Sequence, residues 1–229
     1  MSAAAYSGLV APNYISDLIG SPCCCGSRGG LGQVDFCEEH HRYWYNGERV
    51  PSVTQLLAGL DNFAGVDPEV LEAARIRGIA VHAATQLDDE GDLDMTTVDD
   101  IVRPYLYAWR QFRSDTGFTP YPGGQERIVY HQKYRYAGRL DVIGEMGGKR
   151  VLIDKKSGEQ VPLSAGPQTA AYMEAENVER RPVDYIRARY VVQLRATGEY
   201  SLVRYKDDRG DLGCFLSHLN IYQWRQRNG

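Results

Sequence analysis

Residues 138–158 read GRLDVIGEMGGKRVLIDKKSG, and the rest of the chain organises around them. Val142 and Ile143 before the Gly147-Gly148 pair, and Val151 and Ile153 after it, are strand formers, and two glycines between such runs specify a tight hairpin. A third strand, ERIVYHQ, begins at Glu126. Downstream, AGPQTAAYMEAENVE (165–179) carries a proline in its first turn and reads as a helix. DYIRARYVVQLRATGEYSLVRY (184–205) reads as another hairpin, and DLGCFLSHLNIYQWRQRN (211–228) as a closing amphipathic helix. This β-β-β-α-β-β run predicts an α/β domain with a mixed central sheet flanked by helices.

Helices are expected ahead of that run. In HRYWYNGERVPSVT, residues 41–45 alternate aromatic and polar side chains, and Asn46-Gly47 is a hairpin signal. Ser52 is a candidate N-cap for SVTQLLAGL. Asp67-Pro68-Glu69 opens EVLEAARIRGIAVHAATQL, whose Leu71, Ile76, Ile79, Val81 and Leu87 lie around most of its girth, so a central, buried helix is expected. A third helix, VDDIVRPYLYAWRQFRSD, interrupted by Pro104, is expected to end near Gly117.

The chain has 229 residues, 43% hydrophobic and 24% charged, enough to hide roughly 70% of its unfolded surface without staples. The expected organisation is a Cys- and Gly-rich N-terminal extension over 1–40 and one domain over 41–229. No apolar run approaches the ~20 residues of a membrane span. The opening MSAAAYSGLVAPNYISDLIG lacks a basic region followed by an apolar block, so the expectation is a cytoplasmic protein without membrane contact. Net charge is −4, but residues 126–205 hold fourteen Lys and Arg against ten Asp and Glu, a local +4. An acidic chain with a basic C-terminal half can offer one face to a polyanion. The acidic run QLDDEGDLDMTTVDD (86–100) reads as a solvated loop.

The chemistry gathers on the two strands of the opening quotation. Asp141 and Asp154 stand on neighbouring strands, where two carboxylates repel unless cations neutralise them. Strand alternation points Asp154 and Lys156 to the same side. Two carboxylates with a lysine beside them suit metal-assisted phosphodiester hydrolysis, with oxygen ligands for Mg2+ or Mn2+. His82 lies one turn from Gly78, which permits close helix–sheet approach, and two turns from Arg75 on one helix face. Gln168 and Tyr172 share a face of the later helix.

Taken in order, Gly78-x-x-x-His82, Gly138-x-x-Asp141, Asp154-Lys155-Lys156-Ser157-Gly158 and Gln168-x-x-x-Tyr172 resemble the motifs of the PD-(D/E)XK nucleases. More narrowly they are similar to the RecB-like clade and its bacteriophage exonucleases, over roughly residues 41–227. The resemblance implies a restriction-endonuclease-like core. It implies Asp141 as central metal ligand, Asp154 as second carboxylate, the main-chain carbonyl of Lys155 and His82 as further ligands, and Lys156 as catalytic lysine. Gln168 and Tyr172 would orient site groups or the DNA backbone, Glu126 would stand near the metal, and Arg75, Arg139 and Lys155 would contact DNA. Lys155 occupies a position often aromatic or aliphatic in that family. The implied activity is a DNA exonuclease using Mg2+ or Mn2+ in phage recombination, replication or repair, in host-cell cytoplasm. Implied partners are a single-strand annealing or recombination protein and further copies of the chain. A structure-specific endonuclease, or a non-catalytic DNA-binding subunit with a decayed site, is the alternative.

Cys23, Cys24, Cys25 and Cys37, followed by His40 and His41, form a CxC…CxxH pattern. Cys23, Cys25, Cys37 and His40 supply the four ligands of a structural zinc, which would order a core-poor segment. Free thiols on an arm are the alternative. An iron–sulfur cluster, found in some RecB-like nucleases, needs three cysteines near the C-terminus, where only Cys214 stands.

Overall fold

The computed structural model describes residues 32–62 and 65–229. The chain forms two compact units that divide after Pro51. In the first, strands β1 (Val34–Cys37), β2 (Arg42–Tyr45) and β3 (Glu48–Val50) make an antiparallel sheet in the order β1-β2-β3. Asn46 and Gly47 take positive φ, 51° and 80°, as the predicted tight turn requires. Because β2 also pairs with Val34–Cys37 ahead of it, the hairpin belongs to the N-terminal unit rather than to a domain starting at residue 41.

The second unit carries helices α1 (Val53–Leu57), α2 (Pro68–Glu90) and α3 (Arg103–Thr116), then strands β4 (Thr119–His131), β5 (Tyr136–Met146) and β6 (Lys149–Lys156). Helix α4 (Ala165–Asn177), strands β7 (Ala188–Leu194) and β8 (Tyr200–Tyr205) and helix α5 (Asp208–Asn228) complete it. The sheet order is β4-β5-β6-β7-β8, antiparallel except for β6 and β7, which run parallel because α4 crosses over between them. This is the expected mixed α/β domain. Side chains of α2 and α3 pack with Val151 and Ile153, while α1, α4 and α5 pack with Leu152. Strand β6 is thus covered on both faces, and Val151 to Lys155 are all buried.

Local chemistry sets the helix ends. Ser52 Oγ accepts from Gln55 N at 3.0 Å, and Asp67 caps α2 ahead of Pro68. Pro104 sits in the first turn of α3 instead of interrupting a longer helix, since its missing N–H costs nothing there. The expectation of a buried α2 is corrected: only Val81, Ala84 and Thr85 are buried, and Ile79 is 55% exposed. Helix α3 is the central one, burying Leu106, Trp109 and Phe112. The acidic run is not wholly solvated either. Residues 86–90 continue α2, and Asp88 and Asp89 pair with Arg110 and Arg113 of α3.

Arg189 on β7 is fully buried and ties three elements together. It donates to Asp208 (2.8 Å) and Asp211 (2.5 Å) on α5 and to the Gly166 carbonyl (2.7 Å) and Thr169 (3.0 Å) on α4. Removing one partner of such a set leaves the others desolvated without compensation. Arg189→Met is therefore expected to cost about 3 kcal/mol of unfolding free energy, read as a lower urea midpoint.

Candidate functional site

The site lies at the C-terminal end of β6, where strand alternation sends three consecutive charged side chains to different layers. Asp154 and Lys156 face α4. Asp154 is 1% exposed, and the Lys156 ammonium stands 2.8 Å from its Oδ2. Lys156 is thus the charge partner of Asp154. Lys156 Nζ also donates to Gln168 Oε1 at 3.0 Å, and Gln168 Nε2 reaches the Tyr172 hydroxyl at 3.3 Å. The i, i+4 pair of α4 therefore acts as one chain of contacts that orients the lysine.

Across the strand, Asp141 on β5 accepts from the Lys155 amide, 2.5 Å from its Oδ2. His82 on α2 meets three strands, β4, β5 and β6. Its Nδ1 lies 3.3 Å from Glu126 Oε1 and 3.7 Å from Asp141 Oδ1, and its Nε2 lies 3.2 Å from the Lys155 carbonyl oxygen. Glu126 reaches this point because β4 carries a register shift between Pro120 and Gln125 and Glu126 itself takes φ 43°. A bulge of this kind re-aims a side chain, and a non-glycine residue in that region is held there by its surroundings. Glu126 Oε2 also meets Arg139 at 3.1 Å.

Among the described residues, one ligand atom from each of His82, Glu126 and Asp141 falls within 4.8 Å of the others. Carboxylate and imidazole donors of this kind suit a divalent cation. The residues fit a metal ion. Of the expected ligand set, His82 and Asp141 come together with Glu126 on the Nδ1 side of the imidazole, while the Lys155 carbonyl lies at its other nitrogen. Asp154 stands outside that group, turned toward Lys156, although the charge of Asp141 still acts on it.

Electrostatics follow from this crowding. Burial, opposed in part by Lys156 and reinforced by Asp141, pushes the Asp154 carboxyl up to about 6. For His82, burial disfavours the charged ring, but Asp141 and Glu126 outweigh it and raise its affinity for a proton. Burial likewise opposes the Lys156 ammonium, and Asp154 and Asp141 more than restore it.

Other expectations meet a different geometry. The Lys155 side chain, expected against DNA, is 1% exposed on the opposite face of β6, with Nζ 2.9 Å from Thr85 Oγ1 and 5.3 Å from the centre of the Trp109 ring. It has no surface to offer a phosphate; it fastens β6 to α2. The Thr85 hydroxyl in turn donates to the His82 carbonyl at 3.0 Å, so the same contact braces the turn that carries the imidazole. Arg75 forks onto Glu72 within α2 at 2.7 and 2.8 Å, and Arg77 is the arginine that approaches the Ser157 carbonyl, at 3.4 Å. Gly78 is not the tight glycine: a methyl there would meet only Ser157 Oγ, at 3.7 Å. Gly138 is, since a Cβ would sit 2.4 Å from the Tyr172 ring. Cys23 and Cys25 lie outside the described residues, while Cys37 and His40 are neighbours on the first unit.

No known family profile and no curated protein matches the sequence. Among solved structures, the chain is similar to an alkaline exonuclease (LHK-Exo) from Laribacter hongkongensis, with TM-score 0.37 and 14% identity over 77% of this chain and 80% of that one. It is also similar to SSO0001, with TM-score 0.30 and 10% identity over 63% of this chain and 74% of that one.

Two outcomes are expected. A carboxyl that is harder to ionise when folded makes the protein lose stability as pH rises from its unfolded value near 4 through about 6. Asp154→Asn should therefore raise the metal-free Tm at pH 7.5, by a gain of at most roughly 3 kcal/mol, and the gain should vanish toward pH 4 in thermal scans. Thr85→Ser should leave Tm within a few degrees and Mn2+ binding unchanged, whereas Thr85→Val, which strands the buried Lys155 ammonium, should lower Tm by several degrees and weaken Mn2+ binding about 10-fold by calorimetry.

Proposed function

We propose that this protein is a divalent-metal-dependent nuclease that hydrolyses phosphodiester bonds in DNA, acting as an exonuclease. The observation that carries the reading is the clustering of Asp141, His82 and Glu126 beside the buried Asp154–Lys156 ion pair. The resemblance to PD-(D/E)XK motifs points the same way, with the recombination, replication or repair of phage DNA as the setting.

Asp141, His82 and Glu126 would hold Mg2+ or Mn2+, with Asp154 as the second carboxylate. When bound, the ion polarises the scissile phosphate and lowers the pKa of water. The protein's own part is positional. Gln168, set by Tyr172, accepts a hydrogen bond from the Lys156 ammonium and so fixes its position beside Asp154. Asp154 and Asp141 hold that lysine charged, so it orients attacking water or stabilises charge developing on the phosphate oxygens. The Arg139–Glu126 pair adds a cation beside the same centre, suited to a phosphate approaching along β5. An endonuclease on the same site differs only in what the surrounding channel admits.

End-labelled linear DNA and closed circular DNA, each with Mg2+, Mn2+ or EDTA, test the reading. Linear DNA should be degraded, circular DNA should resist, and chelator should stop the reaction. Lys156→Ala should keep Mn2+ binding by calorimetry and lose cleavage by about 100-fold or more. Cleavage undiminished in chelator removes the metal reading, and equal loss of both DNA forms moves it to an endonuclease.

A further inference from the structure

Helix α4 begins without a cap of its own. Ser164, the residue ahead of it, is buried in helical backbone (φ −63°, ψ −18°), and its hydroxyl makes no capping bond to the amides of the helix. The turn that follows, Ala165-Gly166-Pro167, carries no acid to meet the positive end of the helix. Asp61, beyond the end of α1 and 103 residues away in the chain, supplies both. One of its carboxylate oxygens accepts from the Ser164 amide at 3.0 Å and the other from the Ser164 hydroxyl at 2.5 Å. A carboxylate that takes both donors of one residue fixes that residue's orientation as well as its place.

The residue so held leads directly to the site. Gln168 N donates to the Ser164 carbonyl at 2.8 Å, and one turn from the clamp the Gln168 side chain accepts from Lys156 Nζ at 3.0 Å. Residues 157–163, which join β6 to α4, are exposed or half-buried, and Ser164 is where the chain is buried again. Arg189 holds the same turn through the Gly166 carbonyl, and Asp61 holds its first residue. The apolar cluster that includes Val53, Leu56 and Leu57 of α1 meets α4 further along, at Ala171, Tyr172 and Ala175. Asp61 is also near enough to act on Lys156 directly: burial opposes the ammonium, Asp154 and Asp141 restore it, and Asp61 adds to them.

We propose that Asp61 is a positioning residue of the nuclease site: by clamping Ser164 at the start of α4 it sets Gln168, and through Gln168 it sets the Lys156 ammonium beside Asp154. The proposal rests on the nuclease reading, which assigns that lysine to the chemistry.

Two readouts on the full-length protein test it. In steady-state cleavage of linear DNA, Asp61→Ala should lower kcat about 10-fold or more while KM and the calorimetric Mn2+ affinity stay within about 2-fold, since misplacing a catalytic group costs turnover rather than binding. Asp61→Asn keeps an acceptor for the amide and a partner for the hydroxyl, and should recover most of the rate. Adding Asp61→Ala to Lys156→Ala should cost nothing further, because both changes remove one interaction. The second readout uses no DNA. Acetylation of Lys156 by N-hydroxysuccinimide acetate, followed by mass spectrometry against the exposed Lys149, should run several-fold faster in Asp61→Ala and in Gln168→Ala than in wild type. Ser164→Ala keeps the amide bond and should shift both readouts in the same direction by less; should Asp61→Ala fail to fold, this variant decides in its place. Lys156 acetylated at the wild-type rate overturns the proposal, as does an unchanged kcat where Lys156→Ala is impaired. A lower Tm with neither change marks Asp61 as a support of the fold alone and overturns it as well. Wild-type protein that cleaves no DNA sinks the nuclease reading, while the acetylation rates still decide whether Asp61 holds Lys156.

Discussion

Everything at the candidate site depends on charge being carried into the middle of the sheet by β6. A strand covered on both faces is ordinarily an unbroken apolar run, and Val151, Leu152 and Ile153 obey that rule before Asp154, Lys155 and Lys156 break it. Alternation then separates the consequences. Asp154 and Lys156 turn to α4, and Lys155 turns to α2 and α3, so one backbone segment delivers two kinds of interaction to two layers. The Lys155 carbonyl and amide, left between them, are available to His82 and Asp141.

The buried charges of this domain fall into two groups that physical accounting tells apart. Arg189 has four acceptors, and Asp89 accepts from Trp109 (2.9 Å), Gln125 (2.5 Å) and Arg113 (2.5 Å). These networks join α5 to β7 and α2 to α3, and burial raises the Asp89 carboxyl as it does that of Asp154. Asp154 differs in its surroundings, with the Lys156 ammonium as its charge partner where Asp89 has three donors. A buried carboxylate that resists ionisation costs stability, and the place of Asp154 beside a cluster of ligand-type side chains ties it to function rather than to the fold.

Strain and tight packing concentrate in the same place. Glu126 occupies left-handed backbone on a bulged strand, and the close approach of Tyr172 to β5 is possible only because residue 138 has no side chain. Helix α2 is held at its site end by Thr85 and Lys155, while much of its remaining surface is exposed, so its polar brace does what an apolar face would otherwise do. The helix expected to be central and buried is instead held by a short apolar contact at Val81 and Ala84 and by polar contacts to α3 and β6.

The sequence alone determined the element order, the Gly147-Gly148 and Asn46-Gly47 turns, the caps at Ser52 and Asp67, and the mixed sheet, because each rests on local periodicity or on residues with restricted backbone preferences. It also placed Asp154 with Lys156 and Gln168 with Tyr172, since strand and helix periods fix which side chains share a face. It could not decide which face of α2 is covered: Leu71, Ile76 and Ile79 look alike in sequence, and burial depends on what packs against them. Only the tertiary structure turned Lys155 inward to Thr85 and Trp109 and brought Glu126 to His82 across 44 residues on a bulged strand. Those contacts join segments distant in the chain, and their partners become neighbours only once the sheet has formed.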